Sequence, residues 1–289
     1  MRRSRTVAIV MAVAICAAAA AEVACAEGAA RKTAPAAKAA APARKGVVEP
    51  KAAGILKAMS ARLAAARSMT FRALATYESP SVYGPPLAYT TISTVTLQRP
   101  DKLKVVTTAD GPPSEFYYDG KKMTAYAPKE KLAATADAPG SLDAMLKAVY
   151  DAAGTYFPFT DVIVSDPWAD LSKTLTLAFY IGQSTVVGGV TTDMVAYESD
   201  GVFVQMWIGA DDKLPRRARA IYYDDRLSLR HDVEISDWKL DKKVDSDDFE
   251  ADLDDDVAPV AFIHPKVRQA PAPAAAKTKA AAKPAAGAK

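Results

Sequence analysis

Cysteine is nearly absent from this chain: 289 residues contain only Cys16 and Cys25. Both lie among the first 26 residues, so a chain processed after Ala26 carries none, and its fold must be held by a hydrophobic core rather than by disulfides. Histidine is equally scarce, with only His231 and His264. No zinc-type HExxH spacing exists. A triad of His231 with Asp232 or Asp237 lacks a marked nucleophile, because no GxSxG occurs. Gly-rich phosphate loops, dinucleotide fingerprints and paired catalytic carboxylates are missing too. Long apolar runs are absent: residues 6–21 fall short of the ~20 needed for a stable membrane span. The expectation is a non-enzymatic chain, soluble or peripheral, without cofactor or metal.

What is present begins at the N-terminus. Arg2, Arg3 and Arg5 precede the apolar run of residues 6–21, and Ala24-Cys25-Ala26 supplies a small-x-small cleavage site before Glu27. Residues 1–26 therefore read as a secretory signal peptide cleaved after Ala26, which places the working protein in the periplasm. Lipidation of Cys25 would need an aliphatic residue three places upstream, where Glu22 stands. At Cys16, Val13 meets that need, but bulky Ile15 precedes the cysteine.

Charge divides the chain further. Residues 27–50 and 264–289 are rich in Ala, Pro and Lys. The C-terminal stretch carries Lys266, Arg268, Lys277, Lys279, Lys283 and Lys289 with no acid. Such segments bury too little apolar surface to offset chain entropy and are expected to be a disordered linker and a disordered tail. The tail could touch an anionic membrane or cell-wall polymer, or serve only as a solubilising arm. Between them, residues 51–263 hold 23 Lys and Arg against 31 Asp and Glu. An acidic body argues against nucleic acid as a partner.

Periodicity fills in the body. Ile55, Leu56, Met59, Leu63 and Ala66 recur at steps of three and four, predicting a helix over 51–68. Strand-like stretches follow at 70–77, 88–97, 103–108, 116–118, 123–127 and 131–135, with breaks at Ser79-Pro80 and Gly84-Pro85-Pro86. Asp119-Gly120 marks a hairpin. Residues 141–153 read as a helix with Ser141 as N-cap, Leu142, Met145, Leu146, Val149 and Tyr150 as its stripe and Gly154 as its end. A second short helix is expected near 161–171. Strands resume at 175–180, 193–197, 202–208, 217–223 and 227–238, with turns at Gly188-Gly189 and Asp200-Gly201. Short connections imply antiparallel pairing. The predicted class is α+β: a large curled antiparallel sheet of about 10–11 strands, an unclosed barrel, with helices covering its concave side.

The acidic run 245–256 has Asp enough for a calcium loop but lacks the mid-loop Gly, and it reads as a solvated turn anchored by Phe249 and Leu253. His231 reads as a strand-surface residue. The aromatic and Met residues of the strands, Phe179, Met194, Met206, Trp207, Tyr222 and Trp238, either fill the core or line an apolar pocket.

Several motifs occur together in an order that resembles one family. Arg99-Pro100-Asp101-Lys102-Leu103-Lys104-Val105 resembles the "RPDKLRV" strand entry of the DUF2092 family of predicted periplasmic proteins. Tyr118-Asp119-Gly120-Lys121 resembles its "YDGK" hairpin, and Ser165-Asp166-Pro167-Trp168 its "SDPY" helix. Gly182-Gln183-Ser184-Thr185-Val186 with Gly188-Gly189-Val190 resembles its "GxxTVxGV" hairpin. Gln205-Met206-Trp207-Ile208 with Leu214-Pro215-Arg216, then Ser236-Asp237-Trp238, complete the series over most of 55–262. The resemblance implies a fold similar to the outer-membrane lipoprotein carriers and their receptors, which bind acyl chains in a concavity and perform no bond chemistry. Many relatives carry Cys and His after the hairpin glycine. Thr192 and Asp193 stand there in this chain, so no thiol or metal role carries over to that corner.

The expected function is therefore an exported binding protein. It would hold a lipid, a lipoprotein acyl chain or another apolar ligand in the concave face, with Val95, Leu97, Val105, Phe179, Met206, Ile208 and Ile221 lining the space and helices such as 141–153 moving to admit it. The alternative is an envelope protein-interaction or scaffold module with a filled core.

Overall fold

The computed structural model describes residues 46–223, 225 and 227–263. The expected signal peptide, most of the linker, the basic tail, His264 and both cysteines lie outside the described residues. The first helix, α1 (Pro50–Ala65), starts at a proline whose missing N–H costs nothing at a helix N-terminus. Its stripe of Ala52, Leu56, Met59 and Leu63 is buried against the sheet.

Two long strands follow, β1 (Ser68–Ser81) and β2 (Gly84–Gln98). Met69, Phe71, Ala73 and Ala75 alternate inward, opposite Val95 and Leu97. The expected break at Ser79-Pro80 is not there. The strand runs through Pro80, and pairing with β2 skips from Ser79 to Ser81, because proline has no N–H to donate to the ladder. The turn at Val82-Tyr83 leaves both side chains 92% exposed.

The meander continues through β3 (Lys102–Ala109), β4 (Ser114–Tyr118), β5 (Lys122–Ala127) and β6 (Leu132–Asp137). At the β4–β5 turn Asp119 accepts the N–H groups of Lys121 and Lys122, both at 2.7 Å, and Gly120 takes the positive φ of 95°. Three helices then cross the sheet. α2 (Leu142–Ala153) is capped by Ser141 Oγ and ended by left-handed Gly154. The single helix expected near 161–171 is two, α3 (Thr160–Ile163) and α4 (Pro167–Thr174). Pro167 disfavours a helical residue before it and restarts the helix, with Asp166 accepting from the Ala169 N–H at 3.0 Å.

The second half of the sheet is β7 (Leu175–Ser184), β8 (Thr192–Ser199), β9 (Val202–Gly209), β10 (Pro215–Tyr222) and β11 (Arg230–Leu240), with a short β12 (Ala258–Val260) at the end. Asp200 and Gly201 both have positive φ, as a two-residue hairpin turn demands. The twelve strands form one sheet in the order β12-β6-β5-β4-β3-β2-β1-β11-β10-β9-β8-β7. Every pair is antiparallel except β12 with β6. β11 returns to pair with β1, joining two meanders into one curled, unclosed sheet with the helices on its concave side. The α+β half-barrel expected from the sequence is the observed fold. The β7 edge is partly covered: Val48 bridges Ala178, and Glu49 Oε2 accepts the Tyr180 N–H at 2.9 Å.

Candidate binding cavity

The concavity is filled at one end and hollow at the other. Over β1–β4 the packing is aromatic. Phe71 meets Phe159 edge-on at 5.6 Å and Trp238 at 4.6 Å, and Phe157 packs on Phe116 at 5.2 Å. Over β8–β11 the inward residues are smaller, and a cavity of about 980 Å³ remains between sheet and helices. Its floor includes Val204 and Met206 of β9, Ala218 and Ala220 of β10, and Val233 and Ile235 of β11. Met206 faces Ala218 and Val204 faces Ala220 across the ladder. Two methyl side chains on one strand cannot reach the helices, so the space above them stays open. Its roof is Leu56 and Met59 of α1, Leu146 and Tyr150 of α2, Val162 of α3 and Trp168 and Leu171 of α4, with Tyr156, Phe157 and Phe159 from the loop between α2 and α3.

The roof is tied down by named contacts. Ser60 Oγ donates to Asp166 Oδ1 at 3.1 Å and accepts the Trp168 N–H at 2.8 Å, fastening α4 to α1. Asp143 on α2 accepts the Ser165 N–H at 2.9 Å and its hydroxyl as well. Arg99 donates to the Val164 carbonyl at 2.9 Å.

Polar groups also face the cavity. His231 lies in its wall rather than on an outer strand surface, which corrects the sequence expectation. It sits between Tyr77 and Tyr222, with ring centroids at 6.0 and 5.1 Å. Burial pulls its pKa down, against a smaller upward pull from Asp232 and Glu78. Asp161 lines the cavity from α3. Its side chain is exposed to water, and desolvation, then Asp170, push its pKa up. The Tyr197 hydroxyl is pushed far up by burial and by Asp161.

Of the seven residues expected to line the space, Met206 stands in the cavity wall. Val95, Leu97, Val105 and Ile208 point to the same face but are buried in the packed core. Phe179 and Ile221 are half-buried on the other face: their ladder partners are Ala196 and Phe203, whereas inward Ala178 and Ala220 pair with Tyr197 and Val204. The parity of β10 is set by charge. Arg217 pairs with Asp232 at 2.8 Å on the outer face and lies 5.5 Å over Trp207, and Arg219 reaches Asp232 from the same face. Alternation of Arg217 and Arg219 with Ala218 and Ala220 is the sequence signal that places the alanines inside. Asp161 and the aromatic 156–159 loop carry no such signal.

Two other expectations meet the structure. In the acidic run, Phe249 is fully buried beneath the short 3-10 turn Ser246–Phe249, but Leu253 is 36% exposed and anchors nothing. The Thr192–Asp193 corner is hydrogen-bonded: Thr192 donates to the Ser184 carbonyl at 3.1 Å, and Asp193 accepts from Tyr180 and Gln183.

The fold is thus a helix-roofed half-barrel that encloses an apolar hollow. The chain belongs to the DUF2092 family, described as a predicted periplasmic protein, whose profile matches residues 52–263. No curated protein matches. Among solved structures it is similar to the Pseudomonas aeruginosa MucA/MucB complex, at 13% identity over 70% of this chain and 61% of that one, TM-score 0.39. It is similar to LprF from Mycobacterium bovis, at 16% identity over 66% and 93%, TM-score 0.40. A LolA superfamily protein from Nitrosomonas europaea matches at 8% identity over 68% and 98%, TM-score 0.30. The chain spans about three fifths of the MucB chains.

Proposed function

We propose that this chain is an exported, non-enzymatic binding protein that holds an acyl chain or another apolar ligand between the β8–β11 floor and the helical roof. The observation that carries this reading is the unfilled cavity of about 980 Å³ with its largely apolar wall. The volume suits a single-chain ligand. A chain of about 14 carbons gains roughly 11 kcal/mol gross on leaving water, at about 0.8 kcal/mol per methylene. Capture of that strength needs no reactive group. Entry requires the α2–α4 roof to shift. Export would follow cleavage after Ala26, and the basic tail, residues 264–289, would hold the carrier near an anionic surface.

Native mass spectrometry of protein purified from its own periplasm tests the reading, alongside uptake of an uncharged fluorescent acyl probe. A copurified apolar adduct and saturable uptake are expected. Neither adduct nor uptake overturns it.

A second reading, a protein-docking module, is favoured by one feature, the β1–β2 hairpin tip where Val82, Tyr83 and Leu87 are exposed. Replacing Val82 and Tyr83 by Ser should leave uptake intact under the first reading and remove partner capture under the second. Deleting residues 265–289 should weaken adsorption to anionic vesicles and leave uptake unchanged.

A further inference from the structure

The inner face of the sheet does not stop at the cavity. Beyond the pairs Tyr77–His231 and Thr91–Ala109, β1 and β2 lose their outer neighbours, and residues 78–81 and 84–88 pair only with each other. They form a free two-stranded ribbon that stands past the rest of the sheet. The cavity meets solvent at the same end: Pro80 at the ribbon's root and Asp200 of the β8–β9 turn both line it, and both are exposed. Phe71, Ala73 and Ala75 point inward, so alternation turns Tyr77 and Ser79 inward too, together with their partners Tyr89 and Leu87. An apolar and aromatic track follows. It runs from half-exposed Leu87 to Tyr89, which stacks on Tyr77 at 5.9 Å, and from Tyr77 to His231 in the cavity wall at 6.0 Å.

Residues 79–98 contain no charged side chain, and every residue from 82 to 89 is exposed. Val82 and Tyr83 at the tip project almost wholly into solvent. A lone two-stranded ribbon is marginal in water, and an apolar tip on it is a contact surface left uncovered. Pro80, Pro85 and Pro86 remove N–H donors from the ribbon, so a partner chain finds a poor ladder to extend by strand addition. An uncharged tip of Val, Tyr and Leu suits a lipid bilayer instead. Apolar side chains enter the hydrocarbon boundary there, while a tyrosine settles at headgroup level with its hydroxyl in water. We infer that the β1–β2 hairpin tip seats in a membrane surface, holding the cavity mouth against the lipid, with the Leu87–Tyr89–Tyr77 track as the ligand's path between bilayer and cavity. The docking stands on the hairpin alone, and the path rests on the ligand-holding reading above.

Flotation with neutral phosphatidylcholine vesicles tests the docking, because a basic tail finds no net charge there. The chain should float with the vesicles at high salt, and deleting residues 265–289 should change nothing. Val82→Ser combined with Tyr83→Ser should weaken the partitioning by about tenfold or more, and Val82→Asp alone should do the same. Both positions are exposed, so the melting temperature should not move. The path is read by transfer of an uncharged fluorescent acyl probe from those vesicles to the protein. Transfer should slow about tenfold in the double variant, in step with the lost docking, while uptake of the probe from vesicle-free buffer stays unchanged. Failure of the parent chain to float, equal flotation of the tip variants, or capture of a protein partner or a second copy in place of vesicles overturns the inference while the carrier reading stands. Docking lost with transfer undiminished overturns the path. Flotation without uptake from either source overturns the carrier reading and the path together, and leaves the docking.

Discussion

Asp161 and His231 are titratable groups whose pKa values folding shifts, up for the one and down for the other, and their consequences for stability run with opposite sign. A carboxyl group whose pKa is raised on folding favours the fold only while protonated. The benefit is complete below the ordinary value of about 3.9 and is lost as pH rises through the folded value. At neutral pH Asp161 therefore weighs against the fold. Asp161→Asn, equal in size, should raise the melting temperature at pH 7, by about 2–4 °C for each kcal/mol gained, and change it little at pH 3. His231 has its pKa lowered by burial. As pH falls below about 6.5 the unfolded chain takes up a proton first, so stability declines from there down to the lowered folded value and then levels off. Urea midpoints measured between pH 8 and pH 4 should show this decline in the parent chain and a shallower one in His231→Gln.

Among the elements, the roof is the weaker partner. α3 and α4 are short, and α4 has only Pro167 buried. Short helices gain little from their own hydrogen bonds, so they persist through tertiary contacts. Ser60 is the main such contact, 3% exposed and bonded both ways to α4. Ser60→Ala should lower the urea midpoint, because it leaves the Trp168 N–H short of a partner and frees Asp166 from α1. Hydrogen exchange should quicken across α4 in that variant before it quickens in β1 or β2. The same loosening should speed ligand entry, which ties the roof's modest anchoring to the carrier function proposed for it.

For the molecule as a whole, the concavity has two halves that should answer mutation differently. Phe71 is 1% exposed and packs on Phe159 and Trp238. Phe71→Ala should cost about 3–5 kcal/mol, and in molecules still folded uptake should persist. Ala220→Leu enlarges a side chain that faces empty space. It should change stability by less than about 1 kcal/mol and abolish uptake of the acyl probe. If both variants lose stability alike, the cavity is closed in solution and the carrier proposal falls.

Much of this arrangement is legible along the chain. The strands announce themselves by alternation and by hairpin turns such as Asp119-Gly120 and Asp200-Gly201, whose chemistry is local and needs no partner. α1 and α2 show their stripes, and Pro167 shows where a helix must restart. β12 is invisible because Ala258–Val260 is three residues with no period, stabilised only by a neighbour, β6, far away in sequence. The site divides in the same manner. Hydrophobic pattern and turn chemistry determine that a curled sheet forms and which residues of β10 face in, once Arg217 and Arg219 are seen to need water. Whether an inward residue meets packing or empty space depends on what lies across the concavity. Val95 and Met206 both face inward, yet the aromatic loop packs over β1–β4 and leaves room over β9. That outcome depends on distances between elements far apart in the chain, so only the tertiary structure decides it.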